Sequence, residues 1–312
     1  MILTVTMNPA IDKIYMIDNY QIGEVHRPSD MIASAGGKGL NVARVAKLMG
    51  EEVSTTGPLG GGNGAYIKKE IEKLGIKPHF CDIEGETRIC INITDVINQQ
   101  CTEILESGPT LNETEVVNQL VQFEALIDQV DVVVISGSLA EGLPVDFYGK
   151  LISIAKTKAK KVLLDCSGEA FIEGVKMKPY AIKPNETEIA AIYEGYSETI
   201  ENKLEAIKFF KDQGIELPII SMGGEGSLAG LEDGIYKISL PPVEVINTVG
   251  SGDSFMAGLA ISIQRGLDKK TCMKMATACG TANTQYRRTG YVEPETVDWY
   301  MRQVTIEKIA EY

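Results

Sequence analysis

Apolar residues near the start of the chain and beyond residue 130 are grouped in short runs that predict buried strands. Residues 2–6 form one such run, which we expect to end in a turn at residues 8–12 that carries Asp12, and residues 132–135 form an unbroken apolar stretch. Runs of this length are typical of parallel strands that are covered on both faces. From residue 130 onwards they alternate with helical patterns such as residues 147–159. The pattern predicts an α/β fold, a three-layer α/β/α arrangement around a doubly wound, mainly parallel sheet.

Two further stretches, residues 13–34 and 87–104, are rich in β-forming residues and contain no helical pattern. Neither stretch fits the alternation of strands and helices in the rest of the chain. We therefore expect them to form extra strands that are set apart from the main α/β body.

The composition excludes several classes of function. A net charge of −13 over 312 residues argues against nucleic acid as a partner. The six cysteines include no CxxC pair and only two histidines are present, which disfavours a zinc site. No apolar run approaches the roughly 20 residues that span a bilayer, and the N-terminus lacks the basic start of a signal peptide. We expect a cytoplasmic protein without a membrane partner.

The most informative stretch is the sequence Val-Ile-Asn-Thr-Val-Gly-Ser-Gly-Asp at residues 245–253. It predicts a strand, a glycine turn and a helix that begins near Asp253. A glycine turn that leads into a helix presents free backbone N–H groups, and such a site binds anions. A carboxylate beside bound phosphate is suited to accept a proton from an attacking hydroxyl group. The alternative interpretation is that Asp253 caps a structural helix.

A second glycine-rich helix start is Gly-Gly-Lys-Gly-Leu-Asn at residues 36–41. It also predicts a phosphate-binding helix N-terminus. It does not match a Walker A loop, because Lys38 is followed by glycine instead of serine or threonine.

Asn185 and Glu188 follow a predicted strand that ends near Lys183. Their spacing places them on one face of a helix start, where their oxygens are suited to Mg²⁺ or its waters. The same spacing is typical of a capping box without any ligand. The spacing alone does not separate these interpretations.

Gly60, Gly62 and Ala65 match the G-x-G-x-x-G/A pattern of dinucleotide-binding folds, and Asp82 lies near the distance expected for a ribose ligand. A nucleotide-dependent oxidoreductase is therefore the alternative function. The pattern is common in glycine-rich turns, and here it does not lie in the first βαβ unit, where such a site is normally found.

Both phosphate-binding patterns resemble signatures of the ribokinase-like carbohydrate kinases. The C-terminal Gly-x-Gly-Asp occurs at residues 250–253 and the N-terminal Gly-Gly-Lys-Gly-x-Asn at residues 36–41. The resemblance extends from residue 6 to residue 292 and is greatest to the group of 1-phosphofructokinases and tagatose-6-phosphate kinases. It implies one kinase domain over residues 1–312, with a small β-sheet lid that also forms a homodimer interface. A sugar-phosphate-binding protein without catalysis is a further alternative.

The resemblance also implies roles for individual residues. Asp253 would be the catalytic base, assisted by the N–H groups of Gly250, Ser251 and Gly252. The sugar phosphate would be bound by Asp12, Gly37, Lys38, Asn41, Arg88 and Ser138. ATP would be bound by Lys183, Ser221, Gly223, Gly224, Gly226 and Asn283, and Mg²⁺ by Asn185 and Glu188.

Two features remain open at this stage. Residues 102–109 resemble tagatose-6-phosphate kinases, whereas residues 167–170 resemble 1-phosphofructokinases, so the ketohexose phosphate is not determined. Some family members bind potassium with an aspartate at the position of Asn247. The missing charge argues against activation by a monovalent cation.

Overall fold

The computed structural model describes residues 1–190, 192–193 and 196–312. Strands in this part of the chain are β1 (Ile2–Val5), β2 (Ala10–Ile17), β3 (Asp30–Gly36), β4 (Val53–Leu59), β5 (Lys77–Asp82), β6 (Arg88–Asp95), β7 (Gln100–Leu105), β8 (Val132–Ser136), β9 (Lys161–Asp165), β10 (Ala181–Ile182), β11 (Leu217–Ser221), β12 (Ser227–Gly230), β13 (Ile235–Ser239) and β14 (Thr305–Ala310).

The helices are α1 (Lys38–Leu48), α2 (Gly61–Lys73), α3 (Glu113–Ile127), α4 (Phe147–Thr157), α5 (Gly168–Lys176), α6 (Glu186–Ala190), α7 (Ile200–Asp212), α8 (Ser251–Gln264), α9 (Lys269–Asn283) and α10 (Pro294–Met301). A short 3₁₀ turn covers Gly223–Glu225. In the part of the chain that the structure describes, no helix is long and apolar enough to cross a membrane.

Ten strands form the main sheet in the order β14-β13-β12-β11-β10-β9-β8-β1-β4-β5. The strands from β11 to β5 pair in parallel, and β12, β13 and β14 extend the other edge as antiparallel strands. This confirms the predicted doubly wound, mainly parallel sheet.

The two faces of the main sheet are covered by different helices. Ile2 and Val132 belong to one apolar cluster, together with residues of α1, α2, α8, α9 and α10. Leu3 and Val133 belong to the other cluster, together with residues of α3, α4, α5 and α7. Because successive side chains of a strand point to opposite faces, a strand that is covered twice must be apolar throughout.

A second sheet has four strands in the order β3-β2-β6-β7. It contains the two stretches that were expected to lie apart from the α/β body, and that expectation is confirmed. β2 pairs in parallel with β6, and antiparallel partners lie on both sides. We call these four strands the small sheet.

Two local predictions are wrong. Residues 243–246 form no strand, because Pro241 and Pro242 provide no N–H groups for a ladder and the N–H groups of Ile246 and Asn247 donate to the Thr284 carbonyl instead. Asp12 does not lie in a turn at the end of a strand. It is the third residue of β2 and pairs with Ser34 of β3.

Candidate active site

A cavity of about 510 Å³ opens where the carboxyl ends of the parallel strands meet the small sheet. In α/β proteins this edge of the sheet is where ligands bind. Its charged lining comes from both parts of the fold: Asp12, Lys13, Arg88 and Glu103 on the small sheet, and Lys38, Asp165, Lys183 and Asp253 on the main body. Because acidic and basic groups are balanced there, the cavity differs from the strongly acidic chain as a whole.

Asp253 lies at the floor of this cavity and is only 6% exposed. The helix α8 begins at Ser251, and its N-cap is Gly250 in the left-handed conformation with φ 82°. Asp253 is therefore the third helical residue, and the interpretation of Asp253 as the N-cap is wrong. Its Oδ2 accepts a hydrogen bond of 2.8 Å from Asn41 Nδ2.

Burial raises the pKa of Asp253 to about 6, and the nearby Lys38 charge opposes this rise. A carboxylate with this pKa is mostly ionised at neutral pH, yet it is more basic than an exposed aspartate. That combination suits a general base.

The glycine turn before α8 is held by hydrogen bonds on both sides. The Ser251 N–H group donates to the Thr248 carbonyl, and Asn247 Oδ1 accepts from the Val249 N–H group at 3.0 Å. Ser251 therefore does not offer its N–H group to a ligand, in contrast to the prediction. Within the described residues, the N–H groups of Gly250 and Gly252 have no such backbone partner, and both residues line the cavity.

Two lysines approach a single buried carboxylate. Asp165 Oδ1 lies 3.3 Å from Lys183 Nζ and 3.8 Å from Lys38 Nζ. Asp165 raises the pKa of Lys38, which remains a cation. The Asp165 side chain is 2% exposed, and its Oδ2 has no hydrogen-bond partner in the described part of the chain.

Our sequence analysis did not include Asp165 among the site residues. The available signal was its position at the carboxyl end of the apolar strand β9, next to Lys183 after β10. The Asp165 carboxylate therefore holds both Lys38 and Lys183, which the sequence had suggested only as separate ligands.

Asp12 lies in β2 beside the start of α1. Burial raises its pKa to about 6, whereas the Arg44 charge and a backbone hydrogen bond from Gly37 lower it. Gly36 has no side chain, and the Asp12 carboxyl group fills the space where a Cβ would lie. The structure thus brings together, around one cavity, four of the residues that the resemblance assigned to the sugar phosphate: Asp12, Gly37, Lys38 and Asn41.

Arg88 and Ser138 lie on the wall of the cavity near the start of the small sheet. Arg88 donates from Nη2 to the Asn8 carbonyl at 2.9 Å and from Nη1 to the Glu106 carbonyl at 2.9 Å. Asn8 Nδ2 is 3.4 Å from Ser138 Oγ. These contacts fix the guanidinium plane beside the Ser138 hydroxyl group and leave further N–H groups of Arg88 for a ligand.

A second cavity, of about 320 Å³, adjoins the first and shares Lys183 and Gly252 with it. Its lining includes Ser221, Gly223, Gly224 and Gly226, as predicted for the nucleotide site, and an apolar wall of Leu240, Val243, Val245 and Phe255. An apolar wall is suited to a planar base, and the shared residues lie where a phosphate chain would enter the first cavity.

Asn283 does not line either cavity, so its prediction as a nucleotide ligand is wrong. The side chain is fully buried. Its Nδ2 donates to the Val249 carbonyl at 2.9 Å, and its Oδ1 accepts from Ser254 Oγ at 3.1 Å. Asn283 therefore supports the glycine turn from behind.

Asn185 and Glu188 form a reciprocal capping box at the start of α6. Asn185 Oδ1 accepts from the Glu188 N–H group, and Glu188 Oε2 accepts from the Asn185 N–H group, both at 2.9 Å. The Glu188 charge also reaches Lys38 and raises its pKa. Among the described residues, no group of three or more His, Cys, Asp or Glu side chains is arranged for a metal ion.

At the helix start Gly60–Ala65, two of the backbone N–H groups are already paired within the protein. Glu86 accepts from the Asn63 N–H group, and the Gly60 N–H group donates to Thr87 Oγ1. A carboxylate of the protein thus occupies the position that a pyrophosphate needs. This removes the structural basis for the oxidoreductase alternative.

A family model described as pfkB family carbohydrate kinase matches residues 5–296. A phosphofructokinase candidate from Staphylococcus aureus is 29% identical over 100% of both chains, with a TM-score of 0.85. A possible 1-phosphofructokinase from Thermotoga maritima is 26% identical over 99% of both chains, with a TM-score of 0.91. Phosphofructokinase-2 from Escherichia coli, in complex with potassium, is 21% identical over 97% of this chain and 98% of that chain and shares the fold, with a TM-score of 0.89.

Proposed function

We propose that this chain, which belongs to the pfkB family of carbohydrate kinases, transfers the γ-phosphoryl group of ATP to a ketohexose monophosphate and produces a sugar bisphosphate. The observation that carries the proposal is the meeting of two cavities at Gly252 and Lys183, with the buried Asp253 carboxylate beside their junction. The sugar phosphate would occupy the larger cavity and the nucleotide the smaller one.

Asp253 would act as the general base. Its Oδ2 is engaged by Asn41, so Oδ1 is the atom that would accept the proton of the acceptor hydroxyl. The hydroxyl oxygen would form a bond to the γ-phosphorus, and the bond between that phosphorus and the bridging oxygen of ATP would break, which leaves ADP. The proton would remain on Asp253 until the product leaves.

Charge on the transferring group would be stabilised by groups that already point into the junction. Gly250 and Gly252 present backbone N–H groups at the positive end of α8. Lys183 adds a nearly buried ammonium group that Asp165 holds in position. In a site from which water is excluded, such fixed donors contribute strongly to phosphoryl transfer.

The sugar phosphate would be bound by Lys38, Arg88 and Ser138, and its hydroxyl groups by Asp12. A guanidinium group suits phosphate because it offers paired N–H donors. Lys38 lines the same cavity as Arg88 and Ser138, and its charge also acts on Asp253. This single charge would therefore act on both the bound phosphate and the base.

Kinases commonly use ATP together with Mg²⁺, and the described group that fits such an ion is the Glu188 carboxylate: its Oε2 is used in the capping box, its Oε1 is not, and its charge acts on Lys38. Mg²⁺ keeps most of its waters and needs only one or two carboxylates besides the phosphates. Glu188, with Asn185 beside it at the start of α6, would hold the ion on the side of Lys38. The ion would supply positive charge for the nucleotide phosphates.

Fructose-1-phosphate and tagatose-6-phosphate are both proposed as acceptors. The relatives described as phosphofructokinases support a ketohexose phosphate. The balanced charges of the larger cavity suit a substrate that combines one phosphate with several hydroxyl groups.

The single kinase domain would also form a homodimer through the small sheet, which would act as a lid. Every residue of β7 is exposed, and Ile104 is 52% exposed on the face opposite to Glu103 and Leu105, which line the larger cavity. Apolar side chains on an open sheet are typical of an interaction surface. Sedimentation of Ile104→Lys tests this, because the variant should be a monomer and the parent chain a dimer. A parent chain that sediments as a monomer would contradict the proposal.

The test of the proposed reaction is an ADP-release assay with MgATP and four acceptors: fructose-1-phosphate, tagatose-6-phosphate, fructose-6-phosphate and unphosphorylated fructose. We expect kcat/KM for one of the first two to exceed that for fructose by at least about a hundredfold, since Lys38 and Arg88 bind only a phosphorylated sugar. Asp253→Asn is the control for ADP released by contaminating enzymes. Equal kcat/KM for fructose and its phosphates would refute the sugar-phosphate assignment.

A further inference from the structure

Arg44 is a buried cation behind the active site that has no place in the mechanism described above. It lies on α1 and is 8% exposed. Its Nη1 donates to Asn41 Oδ1 and to the Thr289 carbonyl, both at 2.9 Å, and its Nη2 donates to the Ala35 carbonyl. A buried guanidinium group is costly unless its donors are paired, and here they connect three separate segments.

The first of these contacts determines which way the Asn41 amide points. An asparagine has one accepting oxygen and one donating nitrogen, and the two ends are similar in shape. Because Arg44 can only donate, it requires the Asn41 oxygen on its side. The Asn41 nitrogen must then face Asp253 Oδ2, to which it donates at 2.8 Å. A flipped amide would place an oxygen against the carboxylate.

The second contact connects α1 with the glycine turn. Thr289 precedes Gly290, whose φ is 62°, and a Cβ on Gly290 would lie 2.9 Å from Asn41 Cβ. On its other side, the Gly290 N–H group would lie 2.8 Å from a Cβ on Gly250. Arg44 therefore holds a backbone segment that fits between Asn41 and the turn that carries Asp253.

We propose that Arg44 is a positioning residue for Asp253, which it orients through the Asn41 amide and the Thr289 backbone. The charged groups that face Asp253 are Lys38, Lys183 and Asp165 from other elements, and Arg44 lies behind Asn41. Arg44 also faces Asp12, and its charge opposes the rise that burial causes in the pKa of Asp12. This inference rests on the proposed role of Asp253 as base.

The test compares Arg44→Met, Arg44→Lys, Asn41→Ala and the double variant Arg44→Met/Asn41→Ala. We expect both Arg44 variants to lower kcat by about ten- to a hundredfold, because small displacements of a reacting group cost this much. The KM for ATP should stay within about twofold, since Arg44 does not line the nucleotide cavity. The exposed Arg302→Met on the same chain is the matched control and should behave as the parent enzyme.

The double variant separates positioning from a merely structural role. Because Asn41→Ala removes one of the two contacts and leaves the one to Thr289, Arg44→Met should lower kcat by a clearly smaller factor in the Asn41→Ala background than in the parent enzyme. Fully additive losses, or a normal kcat in Arg44→Lys, would overturn the inference. Thermal melts verify folding. If Arg44→Met does not fold, Arg44→Lys replaces it in the cycle, since lysine retains the charge but has a single nitrogen and cannot reproduce the planar spread of donors by which Nη1 and Nη2 reach Asn41, Thr289 and Ala35.

The pH dependence of kcat gives a second readout. In Arg44→Lys, which keeps the positive charge that also acts directly on Asp253, loss of an oriented Asn41 donor should move the acidic limb of the profile to higher pH, because a hydrogen bond to the ionised carboxylate lowers its pKa. An unchanged limb in both Arg44 variants would contradict the inference. Full activity of Asp253→Asn would instead refute the proposed role of Asp253 as base. If Asp253→Asn is inactive and both Arg44 variants have normal kcat, only the proposed role of Arg44 is refuted.

Discussion

Replacement of Asp253 by asparagine should abolish turnover and at the same time stabilise the fold. Asp253 is 6% exposed and ionised at neutral pH, so the folded chain bears the cost of a buried charge. Asparagine has the same shape, and its oxygen still accepts the hydrogen bond from Asn41. The substitution therefore removes the charge and the base but retains the contacts.

The size of the effect follows from the pKa. Burial raises the pKa of Asp253 from 3.8 to about 6. A difference of one in pKa between the folded and unfolded states corresponds to about 1.4 kcal/mol. The ionised side chain therefore reduces the free energy of unfolding by about 3 kcal/mol above about pH 6. Because a buried amide also has a desolvation cost, we expect Asp253→Asn to raise the free energy of unfolding by about 1–3 kcal/mol.

The pH dependence has a definite sign. An acid whose pKa is higher in the folded state binds its proton more tightly there, so its destabilising effect grows as the pH rises from about 4 to about 6. The advantage of Asp253→Asn should therefore be full at about pH 7.5, fall to about 0.5 kcal/mol at about pH 4, and be nearly absent at about pH 3, where the aspartate is protonated in both states.

Urea denaturation at several pH values, followed by circular dichroism and by the fluorescence of the single tryptophan Trp299, measures this difference. Asp298→Asn, on the exposed side of α10, is the matched control and should change the free energy of unfolding by less than about 0.5 kcal/mol. The reasoning is refuted if Asp253→Asn is no more stable than the parent at about pH 7.5, or if the difference does not shrink with acidification.

Three further predictions concern residues around Asp253. Lys38→Ala should raise the KM for the sugar phosphate by at least about tenfold and the KM for ATP far less; equal increases in steady-state assays would contradict its role. Gly290→Ala should lower the free energy of unfolding by about 1–3 kcal/mol, because its φ is 62° and the new Cβ would lie 2.9 Å from Asn41 Cβ; unchanged urea stability would count against this. Asn283→Ala should lower the free energy of unfolding by about 1–3 kcal/mol, because it leaves the Val249 carbonyl unpaired. It should also lower kcat without changing the affinity for ATP measured by calorimetry. Weakened ATP binding with normal kcat would instead support Asn283 as a nucleotide ligand.

The fold could be predicted where a single local signal determined it. The apolar run at residues 132–135 is covered on both faces, so its sequence alone identifies a parallel strand. The glycine turn before Asp253 was recognised because only glycine readily adopts the φ of 82° at Gly250. The region at residues 243–246 was predicted wrongly, since β-forming side chains do not reveal that the backbone bonds Thr284 instead of a strand.

The remaining parts of the site depend on contacts between distant segments. Asp165 is far from Lys38 in sequence, and only the folded chain brings the two together. Arg44 lies one turn after Asn41 on α1, but only the folded chain places Asn41 against Asp253. Asn283 lies at the end of α9, near the predicted nucleotide site, but the direction of its side chain is fixed by Val249 and Ser254. A sequence pattern indicates which groups share a strand end and not which of them contact a ligand.

The central claim is that Asp253 activates a hydroxyl group of a sugar phosphate in the larger cavity. Phosphorus NMR of a reaction with MgATP and each ketohexose monophosphate detects the product directly. We expect a new phosphate-ester resonance that grows in proportion to ADP in the parent enzyme and is absent with Asp253→Asn. ADP accompanied only by inorganic phosphate, or the same ester formed by Asp253→Asn, would contradict it.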